Sequence, residues 1–214
     1  MSTENPIKLY DFLSSPNCQR VKVVLEEKKL PYETIPVDLR KKEQKKPEFL
    51  KLNPNGKVPV IIDGETVLYE SRIINEYLED QYPESQLMPK IPARRAKIRL
   101  LIDYALTDLI PPHQRIREQM VKDEKERDPA VIESAKRELI DMLRRFENEL
   151  GDQPYLAGDF SLLDAAVVPR FLRLEEWNVL PDRSLPCLGK WLQRMKDRPS
   201  VQSIMPSPPR AGLR

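Results

Sequence analysis

Cysteine and histidine are scarce in this sequence. Its 214 residues hold two cysteines, Cys18 and Cys187, and one histidine, His113. Two thiols so far apart do not form the disulfide framework of a small secreted protein. One imidazole argues against a His-rich metal site, so no bound metal is expected. It also leaves a Ser–His–Asp triad unsupported, because no nucleophile elbow accompanies His113. Long apolar runs are missing too. None approaches the roughly 18 residues that a bilayer-spanning helix needs, and no membrane attachment is expected. The opening residues, MSTENPIKLY, lack a basic stretch followed by an apolar one, so we expect no signal peptide and a cytoplasmic protein. An excess of one charge is absent as well. Lys plus Arg number 36 against 34 Asp plus Glu, a formal net charge of +2. Such a balance gives no global basic footprint for direct binding of nucleic acid.

Apolar residues make up 40% of the chain and charged residues 33%. That balance fits a globular protein, long enough for one large domain or two small ones. Ile7 to Phe12 alternates as a short strand. Ser14-Ser15-Pro16-Asn17 is a turn that can open a helix, with Ser or Asn as cap and Pro tolerated in the first turn. Val21, Val24 and Leu25, followed by Lys28-Lys29, give a helix that ends before Pro31. Tyr32 to Val37 is a second strand, and Pro36 assigns it to an edge or a bulge. A β-α-β unit of this kind implies a parallel pair.

Arg40 to Lys46, RKKEQKK, is expected as a solvated helix or loop face. Asn53-Pro54-Asn55-Gly56 is a turn. Val58 to Ile62 is an apolar strand, Asp63-Gly64 a hairpin turn and Thr66 to Tyr69 the returning strand. Glu70-Ser71 opens a helix through Leu78. Pro83, Pro89 and Pro92 mark a stiff linker, residues 83–92, between a domain of residues 1–82 and an all-helical domain of residues 93–214. Ile98, Leu101, Ile102, Ala105 and Leu109 fall at helical spacing. Val131 to Leu150 is a second long amphipathic helix. Ser161 and Asp164 form a capping box ahead of an apolar helix, and Leu188 to Met195 is a further helix. The tail MPSPPRAGLR is expected to be frayed. No internal repeat is visible.

Three short segments carry candidate chemistry. Ser15-Pro16-Asn17-Cys18 follows a strand at a helix start, where free backbone N–H groups and the helix dipole favour an anion. A hydroxyl there can donate to a thiolate and so lower that thiol's pKa, or Ser14 or Ser15 can be only a cap. Lys57-Val58-Pro59 places a proline in a strand-like run. A cis peptide would leave the Val58 backbone exposed to a peptide ligand, but from the residues alone an edge proline in trans is expected. Glu70-Ser71 sits at another strand-to-helix junction. The pair can cap the helix, or Ser71 can bind a ligand carboxylate and Glu70 a ligand ammonium.

The segments SSPNCQRVKVVLEEKKLPYE and FLKLNPNGKVPVIIDGETVLYESRIINEYLEDQYP resemble the N-terminal domain of cytosolic glutathione transferases. YLAGDFSLLDAAVVP resembles the capping-box segment of their helical domain. The resemblance implies an α/β thioredoxin-like domain (βαβ-ββα) plus an all-α domain, with glutathione as co-substrate and a homodimer as the assembly. It implies that Ser15 activates the thiol, as in serine-type classes, with Ser14 and Cys18 as the other candidates. Val58 would bind the cysteinyl backbone of glutathione, with Pro59 as a cis proline. Glu70 and Ser71 would hold the γ-glutamyl end, and Lys45 and Lys57 the glycyl carboxylate. Phe12, Leu13, Asn17, Tyr104 and Asp108 would border a small electrophile. SPNC also has the shape of a glutaredoxin C-P-x-C with serine in the first place, which leaves Cys18 one turn in and packed. Cys187 is expected as a small apolar residue.

YESRIINEYLEDQYPESQLMPKIPARRAKIRL is also similar to the stringent starvation protein A family. Those proteins keep the transferase fold and act as regulators associated with RNA polymerase. That resemblance implies RNA polymerase as an alternative partner, without transferase turnover. Two features depart from it. A Pro-His-Pro surface element typical of the regulators is replaced here by Pro83-Glu84-Ser85, and the serine-type loop is intact.

Overall fold

The alternation at the start of the chain builds a strand, β1 (Ile7–Asp11), that buries Ile7, Leu9 and Asp11 and exposes Lys8. The computed structural model describes residues 6–205. They divide into two compact units, one of residues 6–86 with 196–205 and one of residues 87–195.

In the first unit, helix α1 (Pro16–Glu27) links β1 to β2 (Tyr32–Pro36). The two strands pair in parallel from Ile7 with Tyr32 to Asp11 with Pro36. β3 (Val60–Asp63) and β4 (Thr66–Tyr69) extend the sheet in the order β2-β1-β3-β4. Both of their pairings are antiparallel. β2 is therefore an edge, where Pro36 displaces no inner ladder bond. β3 starts at Val60, two residues later than the apolar run suggests, and Pro59 lies outside the ladder. α3 (Ser71–Gln81) follows β4 and packs on α1.

Arg40 to Lys46 is a run of turns with one 3-10 turn, Glu43–Lys45, that buries nothing. It leads into α2 (Pro47–Leu52), a helix not legible in the sequence. Six residues with one buried side chain, Phe49, give no period to read.

The chain returns to this unit at its end, although residues 93–214 were expected as one helical domain. The physical tie is on α1. Arg198 donates to both carboxylate oxygens of Glu27, at 3.0 and 2.6 Å, and the Ser200 hydroxyl donates to the same carboxylate. A short helix, α9 (Pro199–Gln202), packs on α1 as a result. Beyond Met205 the tail expected to fray lies outside the described residues.

The second unit holds α4 (Pro92–Thr107), α5 (Ile110–Met120), α6 (Pro129–Leu150), α7 (Leu162–Glu176) and the body of α8 (Pro186–Lys196). α6 opens on an Asp128 cap that accepts from Ala130 N and Val131 N. α8 is capped from a distance, since the Glu147 carboxylate accepts from Cys187 N and Leu188 N at 2.9 and 2.8 Å. Its hydrogen bond to the Cys187 thiol also pushes that thiol's pKa up.

Asp164 is fully buried and closes the expected capping box. It accepts from Ser161 N at 3.0 Å, the Ser161 hydroxyl at 3.1 Å, Leu156 N at 3.0 Å and Trp191 Nε1 at 2.8 Å. Phe146, Phe171 and Trp191 stack edge to face through this core.

His113, on α5, packs against Trp177 with ring centroids 4.6 Å apart. Burial, aided by Arg170, Arg117 and Arg173, pushes its imidazole from 6.5 down to about 4. The unfolded chain therefore binds a proton that the folded chain refuses between those values. Stability is expected to fall as pH drops from 6.5 toward 4. Urea denaturation across that window, compared with His113→Gln, reads it. The variant should show a shallower fall.

Candidate active site

The sheet register draws the three candidate segments to one end. Tyr10, Val60 and Tyr69 lie side by side across β1, β3 and β4. The chain leaves β1 just after Tyr10 toward Ser15, enters β3 from Val58-Pro59, and leaves β4 from Tyr69 into Glu70-Ser71. The N-termini of α1 and α3 open beside this end, where orphan N–H groups and dipoles favour negative charge.

Ser15 is the N-cap of α1, in extended backbone, and its Oγ accepts from Cys18 N at 3.4 Å. A hydroxyl that accepts still has its own hydrogen to donate. Its N–H donates to the Phe12 carbonyl at 2.8 Å. Gln19, buried on α1, donates from Nε2 to Leu13 O at 3.1 Å and Ile204 O at 3.3 Å. The loop that presents Ser15 is thus held at both sides, and Gln19 gave no sequence signal beyond a polar residue on a helix. Ser14 lies exposed in the turn ahead of the cap. Cys18 is fully buried, and burial above all pushes its thiol up to about 12. A thiol held there stays protonated at neutral pH and is a poor nucleophile. Below it, Lys22 pairs with the buried Asp11 carboxylate at 2.5 Å.

The Val58–Pro59 peptide bond is cis, not the trans edge proline expected from the residues alone. Because β3 begins at Val60, Pro59 has no ladder bond to withhold, and Val58 lies outside the register. The approach to Val58 is organised by Asn53, which sequence reasoning noted only as a turn residue. Its Nδ2 donates to Lys57 O at 2.7 Å, and its Oδ1 accepts from Asn55 N at 2.9 Å. Lys45 Nζ donates to Asn55 O at 3.3 Å, which brings Lys45 to the loop that carries the exposed Lys57. Gly56 makes this approach possible. Its φ is +57°, and a Cβ there would meet Lys45 Nζ at 2.7 Å and Gln44 O at 2.8 Å.

Glu70 occupies the N-cap position of α3 but makes no side-chain cap bond, so the capping-pair reading fails. Its backbone is at φ 68°, ψ 105°, a strained conformation for a residue with a Cβ. Its carbonyl accepts from Ile74 N at 2.9 Å, and its side chain is exposed. Ser71 is the first helical residue, mostly buried.

Leu13, 74% exposed, and Asn17 in the first turn of α1 flank Ser15, with Phe12 half-buried just before them. Tyr104 and Asp108 belong to the second unit. There Tyr104 donates to Met142 O at 3.2 Å beneath the Arg145 guanidinium, and Asp108 ends α4. Among the described residues no three His, Cys, Asp or Glu side chains are grouped to hold a metal ion, and no helix is long and apolar enough to cross a membrane.

A β2-β1-β3-β4 sheet with a cis proline ahead of β3, joined to an all-helical unit, is the thioredoxin-like plus helical architecture. Residues 9–86 match the glutathione S-transferase N-terminal domain family, and residues 98–199 match the glutathione S-transferase C-terminal domain family. The chain belongs to the glutathione S-transferase family. It is 34% identical to glutathione S-transferase 3 of Zea mays, over 95% of this chain and 96% of that one. It is also 34% identical to a stringent starvation protein A homolog of Haemophilus influenzae, over 90% of this chain and 87% of that one. Among solved structures, a glutathione transferase from Phanerochaete chrysosporium with oxidized glutathione matches with a TM-score of 0.82. It is 26% identical, over 95% of each chain.

Proposed function

We propose that the protein binds glutathione at the sheet end marked by Tyr10, Val60 and Tyr69 and transfers its thiolate to a small electrophile. The observation that carries this reading is the convergence of two helix N-termini and a cis proline at that end. The likeness to a transferase solved with oxidized glutathione supports it. Ser15 Oγ–H donates to the glutathione sulfur and favours the thiolate. Val58 meets the cysteinyl backbone beside Pro59. Ser71 binds the γ-glutamyl carboxylate and Glu70 the ammonium, while Lys45 and Lys57 face the glycyl carboxylate. Leu13 and Asn17 meet the electrophile.

With an aryl halide, a carbon–sulfur bond forms and the carbon–halogen bond breaks. The halide leaves with the bonding pair, and the thiol proton passes to solvent. Ser71→Ala tests the binding half. Loss of a hydrogen bond to a charged group, about 1.5–3 kcal/mol, is expected to weaken glutathione binding about tenfold to a hundredfold by calorimetry. Unchanged affinity removes Ser71 from the site.

The likeness to the Haemophilus homolog favours a second reading, a regulator that binds RNA polymerase without turnover. It predicts co-purification with polymerase and no retention on immobilised glutathione. Retention on glutathione without polymerase rejects it. In either reading we infer a cytoplasmic homodimer. Val67 on β4 and Ile73 on α3, 40% and 51% exposed, offer apolar surface to a second copy. Sedimentation at the mass of one chain would reject the dimer.

A further inference from the structure

The proposed transfer depends on where the turn before α1 holds Ser15. Ser15 N donates to Phe12 O at 2.8 Å and closes the ends of that turn. Its tip, Leu13-Ser14, has little packing to hold it, since Leu13 is 74% exposed and Ser14 is exposed as well. A polar tie reaches the tip instead. Gln19, in the first turn of α1, is 8% exposed, and its Nε2 donates to Leu13 O at 3.1 Å. Its backbone N–H donates to Ser15 O at 2.9 Å. One residue thus holds the carbonyls on both sides of Ser14.

A carboxamide nitrogen has two hydrogens to donate. The second bond of Gln19 Nε2 goes to Ile204 O at 3.3 Å, 185 residues away in the chain. Ile204 lies just after α9, and its N–H donates to Val201 O at 3.1 Å. The start of α9 is tied to Glu27 through Arg198 and Ser200. Glu27 lies about two turns of α1, roughly 12 Å, beyond Gln19 on the same face. The C-terminal segment therefore runs back along α1 from its last turn to its first, anchored at both ends. The anchor at the first turn shares its carboxamide with the loop that carries Ser15.

We infer that Gln19 is a positioning residue for the proposed thiolate transfer, a role that rests on Ser15 being the donor to the thiol. Gln19 fixes the Leu13-Ser14 tip against the C-terminal segment, so the aim of Ser15 Oγ and of the Leu13 side chain depends on contacts made by residues 198–204. Gln19 acts only through the loop and meets neither glutathione nor the electrophile. A reacting group misplaced by about 1 Å costs up to about a hundredfold in rate. Glutathione affinity rests on the Val58, Glu70 and Ser71 side of the site, so the loss falls on turnover.

Gln19→Leu keeps most of the bulk and removes both donors. Its kcat with an aryl halide should fall about tenfold, with the glutathione dissociation constant within about twofold of the parent's. Hydrogen exchange, which needs no turnover, should quicken in the peptide covering residues 12–15. Gln19→Glu is the conservative control. Its carboxyl donates one bond when protonated and none when ionised, so its activity relative to the parent should fall as pH rises. A residue that only packs would lower Tm and leave kcat and this pH trend in place. Arg198→Ala releases the far anchor at a partly exposed position. It should lower kcat about threefold alone and add nothing in the Gln19→Leu background, as expected of coupled sites. If Gln19→Leu does not fold, kcat and exchange at residues 12–15 in Arg198→Ala decide the matter. Unchanged kcat, unchanged exchange or full additivity overturns the inference. Unchanged turnover in Ser15→Ala instead rejects Ser15 as the donor, and with it the role given to Gln19, even where exchange shows that Gln19 holds the loop.

Discussion

Ser15→Ala is expected to lower turnover with an aryl-halide electrophile by about tenfold to a hundredfold, with glutathione affinity changed far less. The hydroxyl's hydrogen bond is worth most when the sulfur is charged. One unit of thiol pKa corresponds to about 1.36 kcal/mol, and a donor aimed at developing charge contributes about 3 kcal/mol where water is excluded. The sign in pH follows. Without the donor the bound thiol's pKa rises, so the pH–rate profile moves to higher pH, and the deficit shrinks as the medium becomes alkaline. Ser15 is also the N-cap of α1. Its loss costs about 1 kcal/mol of stability through that role alone. The two roles separate cleanly. A cap that does nothing else would lower Tm and leave the pH–rate profile in place.

Asp164→Ala is expected to cause the largest loss of stability in the helical unit. The carboxylate is fully buried and meets four donors, from Ser161 N and Oγ, Leu156 N and Trp191 Nε1. Each buried donor left without a partner costs about 1–3 kcal/mol. Even with partial relaxation, a total of about 3–5 kcal/mol is expected. For a chain of this length that lowers Tm by on the order of 10 °C. Asp164→Asn keeps the shape but loses one acceptor and the charge, so it should fall between the two. Calorimetric scans of the three proteins rank them. Equal Tm for Asp164→Ala and the parent would mean that the four bonds stabilise nothing.

The parts of the fold legible in the sequence are those with a period or a cap. β1 alternates over five residues, α6 repeats over 22, and the capping box at Ser161 and Asp164 is local by construction. α2 and α9, of six and four residues, are shorter than any window in which a period can be recognised. α5 begins Ile110-Pro111-Pro112. Its prolines fit a first turn, but they read equally as a break. The return of residues 196–205 to the first unit rests on Glu27 meeting Arg198 and Ser200, partners more than 170 residues apart.

The site divides the same way. Ser15, Glu70 and Ser71 are junction residues that the strand-to-helix pattern marks. Gln19 and Asn53 act through carbonyls that no sequence pattern identifies, at Leu13 and Ile204 for one and Lys57 for the other. The positive φ of Glu70 and the cis bond before Pro59 are backbone facts. The residue types alone pointed away from both: a non-glycine residue seldom takes positive φ, and an X–Pro bond is usually trans.

Isothermal titration of glutathione into the purified full-length protein tests the central claim most directly. Saturable binding is expected with one site per chain, a dissociation constant below about 1 mM and a clear loss of affinity in Ser71→Ala. A folded protein that takes up no glutathione at that concentration would contradict the assignment of the sheet end as a glutathione site.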